Sequence, residues 1–429
     1  AALRFGIRRL CQQRLDDEGA QDCHKADDRF NQLIETLKQS PIAIETQAAN
    51  EQHYELPTEF FKLCLGARLK YSSAFYPVGS ETLDQAELNM LALYGQRAQL
   101  QDGQHILELG CGWGSLTLWM AENYPNASIT AVSNSTTQRE YIESQCRERG
   151  FANVTVITCD INILVFDGGM FDRCISIEMF EHMRNYRSLL ASIARWLKPD
   201  GRLFVHIFAH RYLMYPFETS GQDDWMGRYF FTGGLMPSAD TLLHFADDLA
   251  VQQRWLVSGR HYAQTANHWL ENQDANASEV LSILEKAYGK QQAPVWAQRW
   301  RMFWMACAEL FAYRDGNEWL VGHYLFKKKP DSAGLSEPYI TYSTTAIVGL
   351  FLDFRRINRF GRHDSYTLRF HPGIEILGSH FLAILGHIES GAFGFGGLRN
   401  RSCHRRFGFG RCGLSGCNRC FFLRGRLSR

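Results

Sequence analysis

A turn of three glycines behind a short apolar run constrains the fold of this chain more than any other feature. His105–Leu109 has the pattern of a buried strand and Ser115–Asn123 that of a helix, with Gly110, Gly112 and Gly114 between them. Glycine lets a backbone turn tightly and approach another molecule without a Cβ in the way. The motif predicts a strand–turn–helix unit, and it leaves open whether the turn binds a ligand or only joins the two elements.

Short apolar runs alternate with helical patterns beyond this turn. We predict a strand at Ser128–Ser133, a helix at Thr137–Arg149, strands at Val154–Thr158 and Arg173–Ile177, a helix at Tyr186–Trp196 and a strand at Arg202–Phe208. This order predicts an α/β fold with a parallel, doubly wound sheet and helices on both faces. Two more strands are predicted at Leu249–Ser258 and Trp319–Phe326. The helical insert between them, at about 266–313, is expected to lie over the mouth of the sheet.

Three regions of the chain differ in composition and in the periodicity of their apolar residues. Residues 1–100 have helical patterns and are expected to form a helical cap on a domain at 101–330. Their clearest apolar stripe consists of Phe30, Leu33, Ile34 and Leu37. The last region, 331–429, is rich in Arg, Gly and Phe, contains fourteen Arg and no Lys, and has no clear periodicity. We predict that this tail is not part of the main fold.

Composition bounds the class of protein. Hydrophobic residues make up 45% and charged residues 21% of the chain, the balance of a soluble globular protein. No apolar run approaches the roughly 18 residues that span a bilayer, and the N-terminus lacks the apolar core of a secretory signal. Its Arg-rich start fits an amphipathic helix better than a transit peptide. The cysteines lack a disulfide spacing, which predicts reduced thiols and a cytoplasmic location. We expect at most peripheral membrane contact, and a homodimer is a candidate assembly.

The net charge of +1 is unevenly distributed. The tail is strongly basic and residues 1–330 are mildly acidic, so no nucleic-acid partner is expected for the main fold. The tail also contains a cluster of possible metal ligands, namely Cys403, His404, Cys412, Cys417 and Cys420. A zinc site and an RNA-binding tail are two interpretations. Because the cysteine spacing matches no familiar zinc pattern, we favour a tail without either site and predict no metal.

The glycine spacing and its neighbours indicate a nucleoside ligand. The spacing G-x-G-x-G differs from the G-x-G-x-x-G of dinucleotide binders, and no Lys-Ser/Thr follows as in nucleotide phosphate loops. Glu108 stands within the motif, and Asp160 follows the third predicted strand. Ligands in open α/β sheets bind at the carboxyl ends of the strands. Asp160 is therefore placed to meet an adenine amino group, with Ile161 over the ring.

A neutral set of side chains follows the second predicted strand. Most sites of this kind have a carboxylate there for the ribose hydroxyls, whereas this chain has Ser133 and Asn134, followed by Gln138. Amides and hydroxyls can make the same hydrogen bonds. A plain helix cap at Ser133 or Ser135 explains the serines equally well.

Ordered motifs from about Asn50 to Lys329 resemble the cyclopropane fatty acid synthase superfamily, and within it the coclaurine N-methyltransferase-like branch. Besides the glycine turn and the Ser133–Gln138 segment, the resemblance rests on Glu51–Pro57, Leu69–Tyr76, Thr82–Glu87, Ser176–Met183, Phe230–Gly234, His261–Tyr262, Trp269–Leu270, Glu318–Trp319 and Phe326–Lys329. Residues 331–429 lie outside it. The resemblance implies a class I, Rossmann-like methyltransferase sheet with S-adenosyl-L-methionine as cofactor.

The resemblance also assigns the cofactor residues. It implies that Tyr71 and Ser72 cover the methionine end of S-adenosylmethionine and that Gly110 lies under it, beside Gly112. The ribose and adenine would be held by Asn134, Gln138, Asp160 and Ile161. The neutral ribose set is then the family's own arrangement.

Three polar residues behind the fourth predicted strand are the candidate catalytic group. Glu178 and Glu181 have i, i+3 spacing, so one helical turn would place both carboxylates on a common face, next to His182. An amine acceptor must present a neutral lone pair, and its methylated product is a cation. Our hypothesis makes Glu181 and His182 the base pair for the acceptor's proton. Glu178 would stabilise the ammonium. A solvated helix start is the alternative interpretation.

The competing activity within the superfamily is cyclopropanation of an unsaturated phospholipid chain. The resemblance matches Glu181, His206 and Tyr262 to a bicarbonate site of the lipid enzymes, in which Glu178 is usually Gly. Ser73 stands where those enzymes often have Cys. An added carboxylate suits a cationic amine better than a hydrocarbon chain. Cys307 matches a cysteine once proposed as catalytic, but a methyl displacement needs no thiol, and we favour a buried structural cysteine.

The acceptor itself is weakly specified by the sequence. Aromatic residues and Met at 214–236 and 296–313 can wall an apolar pocket or belong to the core. A benzylisoquinoline, another secondary amine and an amine-bearing lipid headgroup all fit. A non-enzymatic binding module on a retained fold is a further alternative, against which the intact glycine turn, Asp160 and the Glu-x-x-Glu-His set argue.

Overall fold

The strand before the glycine turn lies near the middle of a seven-stranded sheet in the computed structural model of the chain. The structure describes residues 2–44, 56–219, 221 and 224–330. Its strands are β1 (His105–Leu109), β2 (Ser128–Ser133), β3 (Val154–Thr158), β4 (Phe171–Ile177), β5 (Leu197–His210), β6 (Tyr215–Pro216), β7 (Leu235–Met236), β8 (Leu249–Val257) and β9 (Trp319–Lys328). The sheet has the order β3-β2-β1-β4-β5-β9-β8, and β6 pairs with β7 separately.

Helices cover the sheet and extend beyond its carboxyl edge. They are α1 (Ala2–Asp17), α2 (Cys23–Gln39), α3 (Thr58–Cys64), α4 (Leu83–Arg97), α5 (Ser115–Asn123), α6 (Thr136–Arg149), α7 (Tyr186–Trp196), α8 (Trp225–Tyr229), α9 (Gly259–Ala275), α10 (Ala277–Tyr288) and α11 (Ala293–Ala312). Thr82 and Gln85 form a reciprocal capping box at the start of α4. Asn185 caps α7 through the backbone N–H of Ser188. Local capping chemistry therefore fixes where these helices begin.

The predicted elements around the glycine turn are present. The strand and helix on either side of it have the predicted bounds, and so do β2, β3 and α7. The strand predicted at Arg202–Phe208 is longer, because β5 begins at Leu197 and continues to His210. The helical region predicted at about 266–313 consists of α9, α10 and α11, and it begins earlier, at Gly259.

The five strands from which a parallel sheet was predicted, β1 to β5, are parallel as expected, and one of the two later strands runs against them. β9 lies between β5 and β8 and is antiparallel to both. The cause is the path of the helical insert. Gly259, at the start of α9, lies so close to Trp319 that a Cβ added to it would come within 2.2 Å of the Trp319 carbonyl oxygen. The insert thus returns the chain to the edge from which it left, and the next strand must run in the opposite direction.

Apolar side chains from the N-terminal helices belong to the cores around the sheet. Cys11 and Leu15 of α1 pack with the aromatic residues of α9 and α11. The predicted stripe of α2 packs on the other side, where Phe30, Ile34 and Leu37 are buried with residues of α7. These contacts bring helices from both ends of the described chain to the carboxyl edge of the sheet, where the polar motifs lie.

Some predictions fall on residues that the structure does not describe. The tail at 331–429, with its cysteine cluster and its metal and RNA interpretations, lies outside the described residues, as does the motif segment 51–55. Among the described helices, none has the length and apolar character that crossing a membrane requires.

Candidate active site

The glycine turn has a backbone that only glycine adopts easily. Gly110, Gly112 and Gly114 have φ of 76°, 53° and 77°, in the left-handed region. A Cβ at Gly110 would approach Met179 to 2.8 Å, whereas a Cβ at Gly112 would meet no atom within 4 Å. Gly110 is therefore required by close packing, and Gly112 faces an open cleft.

That cleft has a volume of about 740 Å³, part of it open to solvent, and lies at the carboxyl ends of β1, β2 and β3. Eight of the predicted site residues line it, namely Gly110, Gly112, Asn134, Gln138, Asp160, Ile161, Glu178 and His182. Tyr71 and Ser72 line an adjoining cavity of about 530 Å³. Gly110, Gly112 and Glu178 border both spaces, so the two cavities meet at the glycine turn.

The neutral set behind β2 serves as both helix cap and cleft wall. Ser135 caps α6 through the backbone N–H of Gln138. The Ser133 hydroxyl donates a hydrogen bond of 2.6 Å to Gln138 Oε1, which fixes the orientation of the amide. Gln138 Nε2 is buried and has no hydrogen-bond partner among the described residues. A buried donor without a partner is costly, and a ligand hydroxyl in the cleft would satisfy it.

The loop behind β3 presents Asp160 and Ile161 to the same cleft. Asp160 Oδ1 accepts hydrogen bonds from the backbone N–H and the side-chain amide of Asn162, at 2.8 and 2.9 Å. Asn162 in turn holds the backbone of Ala43 through two hydrogen bonds. The Asp160 carboxylate is thereby oriented at the cleft wall.

Glu108 lies beneath the glycine turn. Its carboxyl group is buried and accepts a hydrogen bond of 2.6 Å from the Thr117 hydroxyl of α5. Burial raises the pKa of Glu108 to about 8. Its side chain borders the cavity of Tyr71 and Ser72, and its hydrogen bond to Thr117 ties α5 to the wall of that cavity.

Glu178 is held by a set of donors from three separate parts of the chain. Oε1 accepts a hydrogen bond from the Ser73 backbone N–H at 3.0 Å and lies 2.9 Å from His206 Nε2. Oε2 accepts a hydrogen bond of 2.6 Å from the Tyr262 hydroxyl. Burial raises the pKa of Glu178, while the ammonium of Lys70 and the Tyr262 hydrogen bond act in the opposite direction.

The predicted helical turn through Glu178 and Glu181 is not present. Glu178 has a left-handed φ of 47°, and only Phe180–His182 form a short 3-10 turn. A glutamate in this region is strained. The backbone is held there because Glu178 N–H donates to the His206 carbonyl and the side chain is bound as described. The two carboxylates still interact, since the charge of Glu178 raises the pKa of Glu181.

Glu181 and His182 have contrasting surroundings. Glu181 is fully buried, its Oε1 accepts a hydrogen bond of 2.7 Å from Phe208 N–H, and its Oε2 has no partner among the described residues. Burial, followed by the charge of Glu178, raises its pKa. His182 lines the cleft and stacks on Phe231, with ring centroids 4.8 Å apart. Removal from bulk water lowers the pKa of His182 to about 4, so its imidazole is neutral at pH 7.

The remaining predicted residues lie around the same carboxylates. His206 and Tyr262 both contact Glu178, and Tyr262 stacks on Phe311 with centroids 4.2 Å apart. Cys307 is half-buried and packs against the core, so it is less buried than expected. Desolvation raises the pKa of its thiol, so the sulfur stays protonated and is a poor nucleophile.

Several polar residues of the site were missed. Lys70 is buried, and its ammonium donates to Ser72 Oγ at 2.5 Å and to the Ser73 carbonyl at 2.8 Å. Burial lowers its pKa to about 8. His323 contacts His206 from the neighbouring strand at 2.9 Å. Lys70 could have been found from the sequence, because it directly precedes the Tyr71-Ser72 pair. His323 could not, because its position beside His206 depends on the register of the two strands.

A seven-stranded sheet of this order, with the penultimate strand in the order antiparallel and a glycine turn opening on a cleft at the carboxyl ends of the strands, defines the class I S-adenosylmethionine-dependent methyltransferases. The chain belongs to the family of mycolic acid cyclopropane synthetases, whose family profile matches residues 43–319.

The relatives of this chain include enzymes that act on different acceptors. It is 41% identical over 301 residues to (S)-coclaurine N-methyltransferase of Thalictrum flavum subsp. glaucum, which covers 69% of this chain and 83% of the relative. A crystal structure of coclaurine N-methyltransferase bound to N-methylheliamine and SAH shares 39% identity and a TM-score of 0.73, covering 76% of this chain and 94% of that one. The cyclopropane-fatty-acyl-phospholipid synthase of Escherichia coli (strain K12) is 28% identical over 63% of this chain and 66% of its own length.

Proposed function

We propose that this chain transfers a methyl group from S-adenosylmethionine to the nitrogen of a small, alkaloid-like amine. The observation that carries the proposal is the position of the Glu178 carboxylate. It accepts the Tyr262 hydroxyl on one oxygen and lies against His206 and the Ser73 N–H with the other. Two of these partners, His206 and Tyr262, are residues that the resemblance matches to the bicarbonate site of the lipid-acting enzymes, so here a carboxylate of the protein would take the place of that anion.

This arrangement favours an amine over a lipid alkene. A tethered carboxylate cannot leave its donors, whereas an exchangeable anion can carry away a proton taken from a hydrocarbon cation. A fixed negative charge stabilises a fixed positive charge, and the product of N-methylation is a cation. The 41% identity to an N-methyltransferase, against 28% to the phospholipid synthase, supports the same choice.

The residues of the cleft fit the cofactor. When bound, S-adenosylmethionine supplies an electrophilic methyl group on its sulfonium. The unpartnered Nε2 of Gln138 suits a ribose hydroxyl, and the carboxylate of Asp160 suits the adenine amino group. The open side of Gly112 leaves room for a ligand against the turn. Tyr71 and Ser72 would close the methionine end from the adjoining cavity.

Glu178, Glu181 and His182, which follow β4, would take up the acceptor's proton and stabilise its positive charge. His182 is neutral and lines the cleft, so it can accept a proton from the acceptor nitrogen. Glu181, whose Oε2 has no partner within the part of the chain that the structure describes, can exchange a proton with a group bound beside it. Glu178 provides the negative charge that stabilises the positive charge forming on the acceptor nitrogen, while the cleft holds that nitrogen in line with the donor. Much of the rate of a methyl displacement comes from this alignment.

Aromatic rings continue from this group towards an apolar region. Phe231, which stacks on His182, also contacts Phe208 and Phe217. Phe217 and Trp225 line a further cavity of about 1430 Å³ beneath α1 and α11. In contrast, Trp300 and Trp304 are fully buried core residues. The Phe217 and Phe231 group supports an acceptor with an aromatic or apolar body, since aromatic rings pack against apolar groups and attract ammonium cations. The cytoplasmic location and the homodimer remain predictions from the sequence.

The test is a methyl-transfer assay with the purified full chain. S-adenosylmethionine is offered with a panel of secondary and tertiary benzylisoquinoline-type amines and, separately, with vesicles of unsaturated phospholipid. We expect a mass gain of one methylene on an amine, placed on nitrogen by fragmentation, and Glu178→Gln to lose most of this turnover. Glu140→Gln, a change at an exposed residue of α6, serves as the control. Modified vesicle lipid with unmodified amines would overturn the proposal, and absence of cofactor binding by calorimetry would favour a binding module.

A further inference from the structure

A line of hydrogen-bonded side chains connects Glu178 to Arg97, the last residue of α4. His206 Nδ1 lies 2.9 Å from His323 Nε2, and His323 Nδ1 lies 2.7 Å from a guanidinium nitrogen of Arg97. Together with the contact between His206 Nε2 and Glu178, the line runs without a gap from the carboxylate to Arg97. Both histidines are fully buried.

The strand register builds this line. His206 of β5 is paired with His323 of β9, and His323 is paired with Trp255 of β8. The guanidinium of Arg97, at the end of α4, lies over the Trp255 ring at 4.9 Å and holds its place at the end of the row. The row thus crosses three strands and is fixed by the backbone of the sheet.

The chemistry of arginine gives the line a direction. A guanidinium has only donors, so His323 Nδ1 must accept the Arg97 hydrogen bond. A neutral imidazole with an accepting Nδ1 carries its proton on Nε2, and His323 Nε2 therefore donates to His206 Nδ1. By the same step His206 carries its proton on Nε2 and donates to Glu178 Oε1. The Tyr94 hydroxyl also lies 2.9 Å from His206 Nδ1, where it would share the single lone pair of that nitrogen with the His323 donor.

We propose that Arg97 and His323 are positioning residues of the methyltransferase site, which fix His206 as the N–H donor that holds the Glu178 carboxylate in place. This inference rests on the proposed role of Glu178. Arg97 touches neither cleft, and its effect passes entirely through the two imidazoles. Burial lowers the pKa of His206 and of His323, and the charges of Lys70 and Arg97 lower it further, so both imidazoles stay neutral.

Other ionisable groups surround the line and enter any pH profile. Glu178 is faced by Lys70, Glu181, His182, His206, Tyr262 and Cys307, and His206 is faced in addition by Tyr94, Arg97 and His323. A pH profile alone would mix these groups. A direct reading of the proton positions on the histidine rings separates them.

The experiment combines nitrogen NMR of histidine-labelled full chain with steady-state kinetics. In the wild type we expect His206 and His323 to be neutral at pH 7 with the proton on Nε2. Arg97→Met keeps an unbranched stem, shorter than that of arginine, and removes the donors. We expect it to disturb this tautomer, to lower kcat roughly tenfold, the effect of one lost hydrogen bond to a charged group, and to move the acid limb of kcat to higher pH by about one unit. Arg97→Lys should restore part of the activity.

Two controls keep the inference falsifiable. Arg68→Met removes another arginine, whose partner Glu122 lies outside the site, and should leave tautomer and kcat unchanged. An Nδ1-protonated His206 in the wild type, or an unchanged tautomer and pH profile in Arg97→Met, would overturn the inference even if another variant failed to fold. Full activity of Glu178→Gln with the expected tautomers intact would instead refute the proposed role of Glu178 and leave the hydrogen-bonded line standing.

Discussion

The Tyr262 hydroxyl donates a hydrogen bond of 2.6 Å to Glu178 Oε2, joining α9 of the helical insert to the residue that follows β4. The bond ties the acceptor side of the site to the carboxyl edge of the sheet. It favours the ionised form of Glu178, which burial disfavours. The charge of the site therefore depends on how the insert is seated.

Tyr262→Phe tests this dependence. Without the hydroxyl, the pKa of Glu178 should rise further, because a donor that lowered it has been lost. The carboxylate is then ionised only at higher pH, so the acid limb of kcat should move up and kcat at pH 7 should fall roughly tenfold. The pH profile of kcat measures both effects.

The control for this variant is Tyr313→Phe, whose hydroxyl bonds Gln12 away from the site. It should leave the profile unchanged. A Tyr262→Phe enzyme with the wild-type acid limb would show that the hydroxyl contributes packing alone.

His182→Gln tests the base. The substitution keeps a polar side chain and removes the group that accepts the proton, so kcat should fall by roughly 100-fold. Since burial lowers the pKa of His182 to about 4, its imidazole loses its proton at lower pH than an ordinary histidine of pKa 6.5. His182 should therefore add a second fall in kcat near pH 4, below the fall due to Glu178, and the variant should lack this second fall. His24→Gln, at an exposed position of α2, is the matched control, and equal turnover of both variants would exclude His182 as the base.

Gln138→Leu tests the cofactor cleft. The unpartnered Nε2 disappears, and with it the expected hydrogen bond to the ligand. The Kd for S-adenosylmethionine in calorimetry should rise roughly tenfold, while kcat at saturating cofactor changes little. Gln145→Leu is the control, because that side chain bonds Glu148 and Arg149 along α6. An unaltered Kd in Gln138→Leu would mean that the amide serves only to hold Ser133.

Local signals in the sequence were sufficient for the elements that carry the cleft. The apolar run before Gly110 and the glycines themselves dictate strand, turn and helix, because each preference acts within a few residues. The ends of β2 and β3 then lie beside this turn in any parallel sheet, which is why Gln138 and Asp160 fall on one cleft. The direction of β9 could not be found in this way, since it depends on the edge to which the helical insert returns.

Contacts between residues distant in the sequence determine the backbone conformation around Glu178 and Glu181, which local sequence patterns could not predict. A glutamate does not by itself favour the left-handed backbone of Glu178. Its strain energy is offset because His206, Tyr262 and Ser73 bind the side chain, and the His206 carbonyl binds the backbone N–H. The i, i+3 spacing suggested a helix only because it ignores such contacts. His323 reads as one polar residue in an apolar strand, and its role emerges from its register opposite His206.

Glu108→Gln gives a prediction on stability, measured without cofactor. An unfolded glutamate loses its proton near pH 4.5, whereas burial keeps the proton on folded Glu108 up to about pH 8. Between these values the folded state binds more protons than the unfolded state, so stability falls as pH rises. Glutamine is neutral at every pH and can still accept the Thr117 hydrogen bond. The variant should therefore melt close to the wild type at pH 5 and above it at pH 8.5, by roughly 2–4 °C for each kcal/mol recovered. Glu122→Gln, at an exposed position, is the control, and its Tm difference from the wild type should not grow with pH. If the Tm difference of Glu108→Gln also stayed constant from pH 5 to 8.5, Glu108 would already be ionised in the folded protein.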